Sequence, residues 1–322
     1  MAYAESFPRA LAGHHIVKEA ESRGQYNAKK PKGQKPVAEW PLVAWKKRQI
    51  VANNYHKLHF TLRHTMMASL SRCFGNTVYT SRHGLIKGMR RKGGLGFLPS
   101  FLVGSADNTP ELTFLSKLAL DGAVVYDIGG FVGVLTLFFS RSARQVVTFE
   151  PNPANYARIL ENLRLNNITN VRVRNVAIGE SESCMTLVYD PLMPGAGSAD
   201  PSISGQIRDT ARRHLSVEIH TTRLDDEIRR GLAKPDFIKI DVEGMEISAL
   251  RGGESFLRER HPRLYLEMHG ATQSEKVSNV GQILRLLHDY GYEDVIHVET
   301  GRRVVLDDYV FACRGHLYVS QS

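Results

Sequence analysis

Residues Ala123 to Asn152, AVVYDIGGFVGVLTLFFSRSARQVVTFEPN, restrict the fold more than any other stretch of the chain. Ala123 to Ile128 is a β-branched apolar run carrying one acid near its end, Asp127, and glycines follow at positions 129, 130 and 133. Such a run reads as a buried strand, then a tight turn, then a helix. A second apolar run, Gln145 to Phe149, ends on Glu150, at about the 20-residue spacing that places a ribose-binding acid in a βαβ unit. Strand, Gly-rich turn, helix and a second strand ending in a carboxylate form one half of a nucleotide-binding α/β fold.

The glycine spacing narrows the ligand. A dinucleotide fold wants G-x-G-x-x-G with a helix N-terminus aimed at a pyrophosphate. Here the pattern is Asp127-x-Gly129-x-x-x-Gly133, with an acid just where a diphosphate would be repelled. That acid suits a ligand whose near end is cationic, and S-adenosylmethionine has an ammonium and a sulfonium but no phosphate. Glu150 would then accept from both ribose hydroxyls, a bidentate task suited to a carboxylate. The same spacing argues against a nicotinamide-dependent dehydrogenase.

The remaining elements arrange themselves around this unit. Residues 1–40, rich in Lys, Gly, Pro and Gln, read as a flexible basic tail. From Pro41 to about Cys73, Trp45, Val51, Tyr55, Leu58, Leu62, Met66 and Leu70 recur at helical spacing among basic residues, so 41–104 is expected to be a basic amphipathic helical extension, ending in a loop or short strand pair from Gly93 to Gly104. Thr109-Pro110 starts a helix. Strands are expected at 171–176, 183–189, 217–222, 235–242 and 263–268, helices after Pro153 and over 277–290, and a closing strand pair near 292–298 and 309–312. The 25 or so residues from Asp190 to His214 read as a long loop placed where a substrate lid could form. The expected domain, 105–322, is α/β: five mostly parallel strands with covering helices and an antiparallel edge hairpin.

A hydrophobic content of 42% and a charged content of 23% exclude a disordered chain, and no run approaches the roughly 18 apolar residues of a membrane span. The N-terminus lacks the pattern of a secretory signal, and Cys73, Cys184 and Cys313 have neither disulfide-scaffold nor metal spacing, so a reducing cytoplasm is expected. The net charge of +9 gathers largely before residue 95, in 29–35, 46–48 and 87–92. Such blocks are usually solvated flanks, but they also suit an anionic membrane, touched peripherally by the basic helix, or a nucleic acid or anionic glycan.

In open α/β sheets the ligand lies beyond the carboxyl ends of the strands. There this sequence places Asp127, Glu150, Asp241 with Glu243, and Glu267 with His269. Methyl transfer needs an acceptor aligned with an activated methyl and a base for its proton. His269 is the natural base by its ordinary pKa, with Asp241 or Glu243 as alternatives. The same four residues, Asp241, Glu243, Glu267 and His269, could instead gather a hard divalent cation such as Mg.

These residues resemble a known family. Asp127-Ile-Gly-Gly-Phe-Val-Gly133, Phe149-Glu-Pro-Asn-Pro153, Asn175-Val-Ala-Ile-Gly179, Ile238-Lys-Ile-Asp-Val-Glu-Gly244 and Leu266-Glu-Met-His269 are similar, in order and spacing, to the FkbM-type S-adenosylmethionine-dependent methyltransferases, over about residues 105–315. The resemblance implies the Rossmann-like, seven-stranded class I methyltransferase fold and O-methylation of a hydroxyl on a saccharide, glycolipid or polyketide-like metabolite. It implies cofactor contacts at Asp127, Gly129, Gly133, Glu150 and Ala177, with Asn152 in the same EPNP stretch, and chemistry near Asp241 and Glu243. Gly130-Phe131 stands where Ala-Asn is common. A nucleic-acid methyltransferase is a weaker reading, because the basic residues lie outside this core; a non-catalytic cofactor-binding protein is another.

Overall fold

The computed structural model describes residues 73–94, 109–191, 193–211 and 213–321. The tail expected over 1–40 and the amphipathic helix expected from Pro41 lie outside them. One part of the 41–104 extension is described, and beyond Cys73, which is helical, it forms turns and a strand pair. Val78–Thr80 (β1) and Arg90–Lys92 (β2) pair antiparallel. The β-branched and aromatic Val-Tyr-Thr run favours a strand, and Gly84 and Gly88, both at positive φ, turn the chain back.

Pro110–Ser116 (α1) begins at the expected cap, where Thr109 Oγ1 accepts from Leu112 N at 3.1 Å. It leads into Val124–Ile128 (β3), buried at every position because helices cover both faces. Then come Val134–Phe139 (α2), Gln145–Phe149 (β4), Pro153–Leu165 (α3) and Val171–Arg174 (β5). Ala177–Ile178 (β6), Ser183–Asp190 (β7), Met193–Ser198 (β8) and Leu215–Thr222 (β9) form a separate four-stranded sheet in the order β6-β9-β7-β8. The long loop expected over 190–214 is therefore largely ordered as β8 and the helix Pro201–Thr210 (α4). Asp200 is the reason: its Oδ1 accepts from Ser202 N and Ile203 N at 3.0 and 2.9 Å, and Pro201 fills the first helical position.

Leu224–Arg229 (α5), Phe237–Ile240 (β10), Glu246–Gly252 (α6), Glu254–Arg260 (α7) and Arg263–Glu267 (β11) complete the parallel core. Gln273–Asp289 (α8) starts four residues before the expected point, on a capping box between Thr272 and Glu275. Asp294–His297 (β12), Arg302–Arg303 (β13) and His316–Ser320 (β14) follow. The expected strand at 309–312 is instead a short 3-10 turn, and β14 takes its place, antiparallel to both β11 and β12.

The central sheet runs β13-β12-β14-β11-β10-β3-β4-β5, with β11, β10, β3, β4 and β5 parallel. Seven strands match the expected architecture, and two-residue β13 adds a short eighth. The chain reverses direction across the sheet between β3 and β10, so the ends of β3, β4 and β10 open on one crevice. Among the described residues no helix is long and apolar enough to cross a membrane.

Candidate functional site

The crevice is built on backbone fit. Gly129 has φ +85 and lies so close to the end of β10 that a Cβ would collide with the Asp241 carbonyl oxygen. Gly130 and Gly129 both donate N–H to Phe149 O, at 3.1 and 2.9 Å, which locks the turn after β3 onto β4. Only glycine combines that φ with that approach. Phe131 comes next in a left-handed conformation, φ 47, and its ring lies against Gly195 of β8, where an added Cβ would be 3.3 Å away.

A cavity of about 90 Å³ lies beyond these strand ends. Gly129, Phe131, Glu150, Asn155 and Ala177 form one part of its wall, and Asp241, Glu243 and Met245 another. Met185, Leu187 and Ile219, from β7 and β9, make an apolar side, and Gly195, Gly197 and Ala199 close the roof. Of the expected site residues, Gly129, Glu150, Ala177, Asp241 and Glu243 line this space; Asp127, Gly133, Asn152, Glu267 and His269 stand behind it.

Glu150 is almost fully enclosed. Its Oε2 accepts from Phe131 N at 2.7 Å, and its Oε1 from Asn152 N at 2.9 Å and Asn155 Nδ2 at 3.3 Å. Burial pushes its carboxyl up to about 7, against those hydrogen bonds. Three of its roughly four acceptor positions are used, which leaves capacity toward the cavity. Asn152 is the N-cap of α3, accepting from Ala154 N at 2.9 Å, and Gly133 is the left-handed N-cap of α2. Both shape the turn.

Asp127 has no exposed surface. Its Oδ2 accepts from Thr136 Oγ1 at 2.6 Å, and its Oδ1 lies 3.4 Å from Lys239 Nζ. Lys239 also reaches Asp241 Oδ2 at 3.1 Å and donates to Gly129 O at 2.7 Å. Burial raises the Asp127 carboxyl; burial also opposes the Lys239 ammonium, but Asp241 and Asp127 outweigh it and hold it charged. One lysine thus ties two strand-end acids and the glycine turn together. Lys239 reads in the sequence as one position of a buried strand, and only the pairing of β10 with β3 reveals its task.

The acids after β10 are organised by a histidine. Glu243 sits at φ 49, before Gly244 at φ 103. Glu246 Oε1 accepts from Gly244 N at 3.1 Å and meets His269 Nδ1 at 2.9 Å. His269 Nε2 faces Glu243 at 3.4 Å, Glu267 at 3.5 Å and Asp241 at 3.9 Å. Burial disfavours the imidazolium, but Glu246, Glu267 and Glu243 together push His269 up to about 11. Burial raises the Glu243 carboxyl to about 7, with His269 opposing. Glu267 lies between His269 and His316, and despite burial the two rings hold its carboxyl far below the usual range. Glu246 and His316 do not stand out in the sequence; Glu246 carries only the weak signal of an acid in a first helical turn.

The carboxylates around His269 favour its imidazolium form, which suits a positioning role better than that of a base. Asp241, Glu267 and His269 offer atoms within 4.8 Å of one another. The carboxylates favour the protonated ring, and a divalent metal would have to displace that proton. S-adenosylmethionine fits better: an apolar slot for a base, Glu150 for a ribose, and Asp241 beside Gly129 for a cationic end.

The central strand order, with its switch point between β3 and β10, is that of a doubly wound α/β fold with its ligand crevice at the strand ends. The profile described as Methyltransferase FkbM domain matches residues 127–293, about half of the chain. The protein belongs to the FkbM family of S-adenosylmethionine-dependent methyltransferases. It is 27% identical to Methyltransferase 1 of Beauveria bassiana, over 41% of this chain and 59% of that one. It is 26% identical to the hexuronic acid methyltransferase AglP of Haloferax volcanii, over 52% and 65%. It is 30% identical to the 2-O-methyltransferase NoeI of Sinorhizobium fredii, over 44% and 62%. The chain spans about three fifths of each of these relatives.

Proposed function

We propose that the protein is an O-methyltransferase that uses S-adenosylmethionine to methylate a hydroxyl of a saccharide, glycolipid or polyketide-like acceptor, and that it acts in the cytoplasm. The observation that carries this is Glu243: a carboxylate on the cavity wall whose pKa stands near 7, backed by a fixed imidazolium. A base poised at the working pH suits a hydroxyl, which is a poor nucleophile until its proton is leaving. AglP and NoeI, whose names specify a hexuronic acid and a 2-O position, support a sugar-like acceptor. Free thiols at Cys73, Cys184 and Cys313 support a reducing compartment.

The bound cofactor supplies a methyl group already activated on sulfur. Glu150 orients the ribose, and Asp241, held by Lys239, receives the positive end. Glu243 would accept the hydroxyl proton as the acceptor oxygen takes the methyl group that the cofactor supplies. His269 keeps its own proton and holds Glu243 and Asp241 in place. Ser198 Oγ, donating to Glu243 O at 2.5 Å, fastens the β8–α4 arm over the site, where it excludes water. At about 90 Å³ the space is well under the ~300 Å³ of small ligand pockets, so binding must displace this roof.

The test is turnover of S-adenosylmethionine with uronic acid glycosides, other simple glycosides and polyketide alcohols, read by mass spectrometry for methyl addition at oxygen. Methyl ethers formed by the wild type and lost with Glu243→Gln are expected. Methylation at nitrogen or carbon only would sink the O-directed reading.

A further inference from the structure

Between Glu39 and Asp107 the sequence has no acidic residue but eleven lysines and arginines. Among the described ones, Arg91 is in an unusual position. On β2 it stands directly across from Tyr79 of β1. Its Nε is buried without a hydrogen-bond partner, and among the described residues no carboxylate pairs with it. Its strand neighbours are satisfied: Lys92 Nζ meets Glu161 at 2.8 Å, and the N–H groups of Arg90 and Lys92 donate to Asn166, the C-cap of α3, and to Asn162 within it, each at 2.8 Å. The hairpin is thus fixed to α3 while one of its guanidinium groups is left uncompensated.

A second guanidinium comes from α3. Arg158 Nη1 donates to Gly75 O at 2.9 Å, and no described carboxylate forms an ion pair with it. Gly93 and Gly94 follow β2 at φ 77 and 88. A Cβ on Gly93 would stand 3.1 Å from Arg158 Nη1, and one on Gly94 3.5 Å from Arg91 Nη2, so bare backbone closes against both groups. Burial, opposed by Tyr79 and reinforced by Arg158, holds Arg91 below the usual arginine range. Half-buried like charges closed in by the same glycine turn suit an anion, and a planar guanidinium matches a tetrahedral oxyanion through paired N–H donors.

We propose that Arg91 and Arg158 form a phosphate-binding site where the β1–β2 hairpin meets α3. The ligand is a phosphoryl group, whether a soluble phosphate ester or an anionic lipid headgroup. The site is separate from the methyl-transfer cavity, although Asn155, one turn earlier on α3, lines that cavity.

The test uses the full chain. Calorimetric titration with pyrophosphate probes the soluble source, and co-sedimentation with phosphatidylcholine vesicles with and without phosphatidic acid probes the lipid source. The wild type should bind at least one probe, and Arg91→Gln should lose about tenfold or more in affinity while Arg91→Lys retains part of it. Binding of S-adenosylhomocysteine should be unchanged in both variants, which separates this proposal from the methyltransferase reading. Pyrophosphate binding alone assigns a soluble ester; vesicle binding alone assigns a headgroup; either supports the site. If Arg91→Gln does not fold, Arg158→Gln must show the same loss. Wild type that binds neither probe, or variants that bind as well as wild type, overturn the proposal.

Discussion

Glu243→Gln should remove activity and stabilise the protein. In the folded chain the Glu243 carboxyl is pushed up to about 7, chiefly by burial. The unfolded chain ionises it near the ordinary glutamate value of about 4.3, so folding favours the protonated form. That contribution is fully present below the unfolded value and is lost as pH rises through about 7. Above pH ~8 the ionised side chain opposes folding by about 4 kcal/mol, taking each pKa unit as ~1.4 kcal/mol. Glutamine copies the protonated form and carries no such penalty. Urea unfolding of both proteins from acidic to mildly alkaline pH is the assay. Nearly equal stability at the acid end should open to a gain of about 4 kcal/mol for the variant, while turnover falls by ~100-fold or more. A variant less stable than wild type at pH ~8, or a difference independent of pH, would refute the burial of this carboxylate as its cause.

His269 should stay protonated across the neutral range, its folded pKa near 11 being above the unfolded one, so its contribution is complete below about pH 6.5 and fades only as pH approaches 11. Nitrogen chemical shifts of the ring would show this, and a midpoint near the ordinary histidine value would contradict it. Lys239→Met should cost about 3–5 kcal/mol in urea unfolding, because it strands Asp127 without a counter-charge; a loss under ~1 kcal/mol would mean the pair is not held as described. Gly129→Ala should destabilise by at least ~2 kcal/mol and abolish S-adenosylhomocysteine binding, since the methyl group meets the Asp241 carbonyl at a left-handed φ. Wild-type binding by that variant would contradict the packing.

The sequence signals differ in reach. The β3 turn was readable because apolar run, glycines and second strand act within one βαβ unit. Asp200-Pro201 carried a legible helix start, but Gly- and Ser-rich neighbours drowned it and 190–214 looked like a loop. Tyr309–Ala312 has the composition of a strand, yet His316–Ser320 wins the edge of β11, a choice made by tertiary pairing. At the site, strand-end acids were visible, but their charge balance was not. Lys239, Glu246 and His316 reach those acids from other strands and from a helix start, and that balance favours the charged form of His269 over the neutral form a base needs. Asp127 and Asn152, expected at the ligand, instead support the turn that faces it.

Calorimetric titration with S-adenosylhomocysteine, wild type beside Glu150→Ala, tests the central claim most directly. The account predicts one saturable site in the wild type and a loss of about tenfold or more in the variant, as the charge-assisted hydrogen bond of ~1.5–3 kcal/mol that the remaining acceptor position of Glu150 offers a ribose hydroxyl disappears. Thermal unfolding should confirm that the variant is folded. No binding by folded wild type, or equal binding by the two proteins, would contradict the assignment of this cavity to the cofactor.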